Sequence, residues 1–385
     1  MNRCTKAIIY KENLKHNILQ IKNHLAEGTK LCIAVKADGY GHNAILTAKI
    51  AEDCGAEYLA VATVDEGIEL RDAGIDAHIL LLSLCTPSEF SDLFKYKITP
   101  LVYSPEYINE LSVEADKYYK SNEKFEVHLA VDTGMGRIGC YPEEAGKEAL
   151  LINNTKHLVL GGVCTHFAVS DSLEESNVDF TKEQYQNFTN AISNIKKEGV
   201  NPGICSCSNS AAIMNNKDMH FGMVRAGIIT YGYYADDISK EYLMSKNNDF
   251  DLKPVMAFKT KVLSIRKFPK GKSISYGRTW VCPEDTNIAI LPVGYADGLL
   301  RRFSPGLEVT INGKNYPVRG RICMDQCMVD LGPDNTDVKL FDDVWIFGPK
   351  ECGALNTAEE LAAIGKTISY EVLTSIGKRV KKEIL

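Results

Sequence analysis

The chain has 385 residues; 45% are hydrophobic and 24% charged, with 29 Gly and 13 Pro. That is room for two or three domains with an ample core, and it excludes disordered, collagen-like and small disulfide-scaffold classes. Forty-four Lys plus Arg against 50 Asp plus Glu leave a net charge of −6 with no basic block, which argues against binding nucleic acid.

From Lys30 onward, short β-branched runs alternate with amphipathic stretches. LCIAVK (31–36) precedes AILTAKIAEDCG, YLAVAT (58–63) precedes VDEGIELRDAG, and HILLLS (78–83) precedes SEFSDLFKYK. ITPLVYS (98–104) leads into PEYINELSVEADKYYK, FEVHLAV (125–131) into PEEAGKEALLINN, and LVLGGVCTHF (158–167) into FTKEQYQNFTNAISNIKKEG. GICSC (203–207) with NSAAIMNN, and MHFGMVR (219–225) with AGIITYGYY, complete the series. Eight strand–helix units predict an α/β fold with parallel strands covered by helices, best fitted by a closed (β/α)8 barrel. An open doubly wound sheet is the competing arrangement.

After Tyr234 the texture changes. ADDISKEYLMSKNNDFDLKP reads as a polar linker, and strands without regular helices follow: VMAFKTKVLSI, SISYGRTWV, IAILPVGYA, LEVTINGKNYPV, ICMDQCMVDL and DVWIFG. Turn signals such as Asn312-Gly313 separate them. The prediction is a mainly antiparallel β domain closing on one or two helices, TAEELAAIG and SYEVLTSIGKRVKKEIL. The division falls at 1–238 for the barrel and 239–385 for the β domain, with AIIY (7–10) free to pair with either.

The twelve cysteines mostly stand singly inside apolar runs, and only Cys205 and Cys207 approach a pair, a weak metal signal. No metal is expected. MNRCTKAIIYKENLKHN turns polar too early for a signal peptide, and no run reaches the ~18 apolar residues of a membrane span. A cytoplasmic protein with reduced thiols is the expectation, with no membrane partner.

Chemistry in such a barrel collects on the loops after the strands. Lys36 ends the first run, in AVKADGYGHN. A lysine after four apolar residues is partly desolvated, which lowers its pKa and favours imine chemistry. Position alone leaves open a rim lysine that snorkels to water.

AVKADGYGHN is similar to the pyridoxal-phosphate lysine motif of alanine racemases, a fold-type III family. VDTGMGRIG (131–139), THFA (165–168), SNSAA (208–212), VRAGI (224–228), SYGRT (275–279), GYADGLLRR (294–302), GRICMDQ (320–326) and ISYEV (368–372) resemble that family in the same order. The similarity runs essentially end to end, and it implies a barrel followed by a β domain.

The resemblance implies that Lys36 carries pyridoxal phosphate and acts as one catalytic base. Tyr40, Ser210, the backbone amides of Gly227 and Ile228, and Tyr370 would hold the phosphate; taken alone, Tyr40 reads as a loop tyrosine and Ser210 as a helix cap. Arg225 would meet the pyridine nitrogen. An arginine does not readily yield a proton, so the ring stays a weak electron sink suited to racemisation. Tyr276 would be the second base, contributed to the partner's site in a head-to-tail homodimer. Its phenol needs nearby positive charge to work at neutral pH, and His166 and Arg225 are the candidates.

By the same resemblance Arg137 and the backbone of Met324 would take the substrate carboxylate, and Tyr295, Arg301, Arg321 and Asp325 would line the entry corridor. For Arg301 and Arg321 solvated surface charge remains an alternative. The implied activity is interconversion of L- and D-alanine, supplying D-alanine for peptidoglycan. Three positions depart from the family: Ala130 stands where a carbamylated lysine commonly braces the arginine, Ser206 where a histidine often supports Arg225, and Ala226 where proline is usual. Arg137 then needs another brace, chloride or a polar neighbour. A serine or broad small-amino-acid racemase is the nearest alternative, against which the bulk of Tyr370 speaks. A non-catalytic pyridoxal-phosphate barrel would lack the β domain, and the substrate-gripping motifs of decarboxylase relatives are not found.

Overall fold

The computed structural model describes residues 3–385. Eight strands run parallel: β2 (Lys30–Ala34), β3 (Tyr58–Val61), β4 (His78–Leu81), β5 (Ile98–Val102), β6 (Phe125–Ala130), β7 (Leu158–Cys164), β8 (Ile204–Ser206) and β9 (Met223–Ala226), after a first strand β1 (Lys6–Ile9). Their spatial order follows the chain from β2 to β8, and β9 returns to pair with β2. A doubly wound sheet would reverse direction at a switch point; this sheet instead curls until Arg225 N donates to Ser208 O (3.0 Å) beside the last seam. The result is a nearly closed barrel.

The apolar runs are buried on both faces because helices cover the outside while facing strands fill the inside. All four residues of β3 are buried. The helix Val64–Asp72 shows how local sequence sets an element. Thr63 and Glu66 form a capping box at its start, and Val64, Gly67 and Leu70 face the sheet at helical spacing. An added Cβ on Gly67 would lie 2.5 Å from Ile98 Cδ1, so glycine here permits the close approach.

The β domain contains β10 (Met256–Lys261), β11 (Ser264–Phe268), β12 (Ser273–Ile274), β13 (Trp280–Val281), β14 (Thr286–Leu291), β15 (Glu308–Ile311), β16 (Lys314–Pro317), β17 (Cys327–Gly332), β18 (Asp343–Phe347) and β19 (Lys381–Ile384). One sheet has the order β16-β15-β18-β10-β1-β19, a second β11-β14-β17, and β12 pairs with β13. The N-terminal AIIY therefore belongs with this domain: β1 lies antiparallel to β10 and parallel to β19. A continuous apolar core joins the barrel to this domain. No helix among the described residues is long and apolar enough to cross a membrane.

Several boundaries differ from expectation. The closing SYEVLTSIGKRVKKEIL is not one helix: helix ends at Thr374, and Lys381–Ile384 is a strand. The free edge of β1 captures it, and Leu385 N donates to Ile9 O (2.9 Å). SISYGRTWV is broken into two short strands by a turn over Tyr276–Arg278, where Gly277 and Arg278 take positive φ. VMAFKTKVLSI divides into β10 and β11, which enter different sheets. ICMDQ is loop, with the strand starting at Cys327, and the polar linker carries a helix, Lys240–Ser245.

Candidate active site

The C-terminal mouth of the barrel opens into a cavity of about 600 Å³. Lys36, Tyr40, Arg137, His166, Ser210, Arg225, Gly227 and Tyr370 all line it. Lys36 is half-buried just beyond β2. Burial and the Arg137 charge lower its pKa, and Glu66 opposes them. The amine is thus more often neutral than a surface lysine.

After Lys36 the chain makes one left-handed turn: Ala37 (φ 51°), Asp38 (φ 53°), Gly39 (φ 61°) and Tyr40 (φ 51°). For the three L residues this conformation costs roughly 1–2 kcal/mol each. Gly39 N donates to Val35 O (2.7 Å) and Gly41 N to Ala37 O (2.9 Å). Asp38 accepts from Ala44 N (2.9 Å) and pairs with Lys382 of β19. The fully buried His42 holds the carbonyls of Gly39 and Tyr40 with Nδ1 (3.2 and 2.8 Å). The rings of both Tyr40 and His42 stack on Tyr231, whose hydroxyl donates to Ala34 O (2.8 Å). Lys36 and Tyr40 therefore stand at the two ends of a rigid turn.

Arg137 follows β6 on a loop organised by Asp132, whose carboxylate accepts from Gly134 N, Gly136 N and Arg137 N (3.0, 3.0 and 3.1 Å). Gly139 is required: at φ 137° an added Cβ would sit 2.3 Å from Asp132 N. The Arg137 side chain makes no hydrogen bond or ion pair among the described residues. Ala130 packs with Leu101 and Cys164, and no side chain among the described residues hydrogen-bonds the Arg137 guanidinium in place of the missing brace.

Arg225 is buried and held firmly. Its Nη2 donates to Thr165 O (2.6 Å), and its Nη1 to the carbonyl (3.0 Å) and hydroxyl of Ser206. Ser206 thus supports the guanidinium at the position where the family often has histidine. Nε has no protein acceptor among the described residues. His166 lies 3.4 Å from Arg225 Nη2. Burial, with the charges of Arg225, Arg137 and Lys36, pushes its pKa down to about 3. The expectation that His166 supplies positive charge is therefore corrected: it is neutral near pH 7, and the charge at this end of the cavity comes from Arg225.

Ser210 opens the helix Ser210–Asn215, capped by Asn209, and its hydroxyl accepts from Gly227 N (3.0 Å). A Cβ on Gly227 would stand 3.0 Å from the Tyr40 hydroxyl and 3.5 Å from Ser210 Oγ. The Ile228 side chain is fully buried and does not line the cavity, while its backbone N–H follows Gly227 at the start of the turn Ile228–Tyr231. Tyr370 reaches in from the β domain with its ring 5.8 Å from that of Tyr40. Burial raises the pKa of both phenols, that of Tyr40 to about 12, so both act as neutral donors. Hydroxyls and backbone amides converging at helix starts form a cradle for a phosphate-like anion. A lysine and an unpaired arginine Nε at the same cavity complete a donor set that fits pyridoxal phosphate.

Tyr276, Tyr295, Arg301, Arg321, Met324 and Asp325 do not reach this cavity. They lie exposed on the β domain, Tyr276 at 68% and Met324 at 52%. Ser275 carries Tyr276 on a turn at φ 66°, ψ −177°, and donates to Arg321 O (2.6 Å). Tyr295 N bonds Cys323 O (3.1 Å), and Ala296 N bonds Met324 O (3.0 Å). The site residues thus form two groups, which a single chain does not bring together.

Sequence reasoning passed over Asp171, Asp236 and Asn209 at the cavity wall, and Glu66 beside Lys36. For Glu66 there was a signal: Thr63-x-x-Glu66 is a capping-box pattern. Asn209 lies within SNSAA and caps the helix Ser210–Asn215, whereas no local pattern marks Asp171 or Asp236.

The sequence matches "Alanine racemase, N-terminal domain" over residues 9–235 and "Alanine racemase, C-terminal domain" over 255–384. It is 48% identical to "Alanine racemase" of Treponema denticola over 382 residues, 99% of this chain and 98% of that one. It is 40% identical to "Alanine racemase" of Treponema pallidum over 380 residues, 98% of each. The solved alanine racemase of Clostridium difficile 630 superposes with a TM-score of 0.90 at 39% identity, covering 100% of this chain and 96% of that one.

Proposed function

Since the chain belongs to the alanine racemase family, whose members are isomerases, we propose that it interconverts L- and D-alanine with pyridoxal phosphate seated in the barrel cavity. The observation that carries the reading is the convergence of Lys36, Tyr40, Ser210 and Arg225 on that one cavity. When bound, pyridoxal phosphate acidifies the Cα–H of an attached amino acid by withdrawing its electron pair.

The chain's own residues supply the rest. Tyr40, Ser210, Tyr370 and the amides of Gly227 and Ile228 hold the phosphate. Lys36 would hold the aldehyde end, and once its amine is free its lowered pKa keeps Nζ unprotonated and so able to take up the Cα proton on one face. Arg225 gives Nε to the ring nitrogen while its other nitrogens stay on Thr165 and Ser206. Because a guanidinium keeps its proton, electron withdrawal stays weak, and return to the amino acid is favoured over transamination. Arg137 receives the carboxylate.

Racemisation needs a proton group on the opposite face. Tyr276 fills that role in a head-to-tail homodimer, in which the exposed group of one protomer faces the cavity of its partner; the Met324 backbone joins Arg137 there. Tyr295, Arg301, Arg321 and Asp325 border the approach. Tyr370 narrows the cavity and favours alanine over serine. All twelve cysteines are unpaired, which accords with a cytoplasmic enzyme, and D-alanine for peptidoglycan is the product's use.

The test is a panel of enantiopure amino acids incubated with the chain and added pyridoxal phosphate, followed by chiral chromatography. Alanine is expected to racemise fastest. An equal or faster rate with serine would replace alanine as the substrate, and no change in any amino acid would reject the reading.

A further inference from the structure

The carboxylate of Glu66 does more than cap its own helix. Within the capping box it accepts from Thr63 N (3.3 Å), while Glu66 N bonds the Thr63 hydroxyl (3.2 Å). Its two shortest bonds lie elsewhere: Oε2 accepts from Ala62 N (2.7 Å), and Oε1 accepts from Ala37 N (2.6 Å). Ala37 is the first residue of the left-handed turn, and its N–H belongs to the peptide that follows Lys36. At the start of a helical turn such an N–H has no partner within the turn. One half-buried carboxylate thus joins the loop after β3 to the peptide after Lys36.

We infer that Glu66 is a positioning residue for Lys36, fixing through the Ala37 N–H the backbone from which the reactive amine projects. The strained turn needs such a hold, because left-handed backbone relaxes toward ordinary φ values once its outside contacts are lost. Charge-assisted bonds of this kind are about twice as strong as neutral ones. The charged or titratable groups that line the cavity with Lys36 include Arg137 after β6, His166 and Asp171 after β7, Arg225 on β9, Asp236 beyond it, Tyr370 from the β domain and Tyr40 on its own turn. His166 is neutral, and of the carboxyl groups around the cavity Glu66 is the one that raises the Lys36 pKa, against burial and the Arg137 charge. The inference rests on the reading of Lys36 as the reactive amine.

The experiment compares Glu66→Gln, Thr63→Ala and the unaltered full-length chain. One readout is the pH dependence of Lys36 acylation by acetic anhydride before pyridoxal phosphate is added, followed by peptide mass spectrometry. The other is kcat and KM for alanine with the cofactor present. Glu66→Gln is expected to move the Lys36 titration to lower pH and to reduce kcat about tenfold with little change in KM. Thr63→Ala loses the helix cap, and with it some thermal stability, yet keeps the Lys36 titration and kcat within about twofold.

Should Glu66→Gln not fold, Glu66→Asp serves, since it keeps the charge but is too short to span both amides. It is expected to lose a similar factor in kcat with a smaller shift in titration. Unchanged titration and kcat in the Glu66 variants, or equal shifts in Thr63→Ala, would overturn the inference. Lys36→Ala separates the two claims. If it still racemises alanine, the reading of Lys36 fails; if it is inactive while the Glu66 variants behave like the unaltered chain, only the role of Glu66 falls.

Discussion

Replacing Asp297 by Asn tests the node that holds the second group of site residues. Asp297 is fully buried, and its carboxylate accepts from both terminal nitrogens of Arg3, from Arg379 Nε (2.6 Å) and from Gly294 N (3.0 Å). Arg379 continues to Asp325 (2.7 Å), so the chain start, the Tyr295 turn, the Met324 loop and the C-terminal segment meet at one anion. An amide of the same shape keeps one accepting oxygen in weaker form and turns an NH2 toward two donors. Breaking a buried pair in this way costs about 3–5 kcal/mol. Arg3 and Arg379 are 29% and 41% exposed and rehydrate in part, which brings the expected loss to about 3 kcal/mol, or roughly a hundredfold in the folding equilibrium.

Urea unfolding of Asp297→Asn against the unaltered chain, at matched protein and cofactor concentrations, measures this loss. The sign with pH is a second check. Burial alone would raise the carboxyl pKa, but the bonds from Arg3, Arg379 and Gly294 outweigh it and hold it below the ordinary range. Its contribution is therefore complete above about pH 4 and fades as pH falls through the lowered value, so the gap between variant and parent should narrow in acid. A difference below about 0.5 kcal/mol at pH 7 would refute the reasoning, as would a gap that widens in acid.

Other outcomes follow from the site. Tyr276→Phe should slow solvent-proton exchange at Cα for one alanine enantiomer more than the other, by at least about tenfold; equal rates for both would remove its role as a base. Lys36→Ala and Tyr276→Phe proteins, each inactive alone, should regain activity after subunit exchange if sites are shared, and proven exchange without recovery would reject sharing. His42 is neutral in the fold down to about pH 3, because burial outweighs its two carbonyl contacts. Between about pH 6.5 and 3 the unfolded chain binds a proton there that the folded chain does not. Stability should thus rise with pH in that window by about 1.4 kcal/mol per unit from this residue, and His42→Gln should flatten the urea-measured slope accordingly. An unaltered slope would contradict a neutral His42.

Much of the site could be read before any coordinates. Lys36, Tyr40, Arg137, Ser210 and Gly227 follow barrel strands and Arg225 lies near the end of β9, so a strand count and a short motif locate them together. Of the glycines flanking Arg137, Gly139 is fixed by sterics, since a side chain there would strike the backbone of Asp132, whereas Gly136 has open space around it and is set by its positive φ. The protonation of His166 was not legible. It depends on Arg225, Arg137 and Lys36, which are distant in the chain and adjacent only across the cavity.

The amino-acid order alone determined the alternation of apolar strand and amphipathic helix, the change to β structure after Tyr234, and the residue types able to hold a phosphate and a reactive amine. These are properties of short windows, where side-chain period and local sterics decide the outcome. Tertiary structure decided which edge received Lys6–Ile9, why Lys381–Ile384 became a strand, how the carboxylate of Glu66 came to hold the peptide after Lys36, and that Tyr276 lies outside its own chain's cavity. Each depends on which unpaired backbone group or charge lies nearest in space, and that is settled only when distant segments meet.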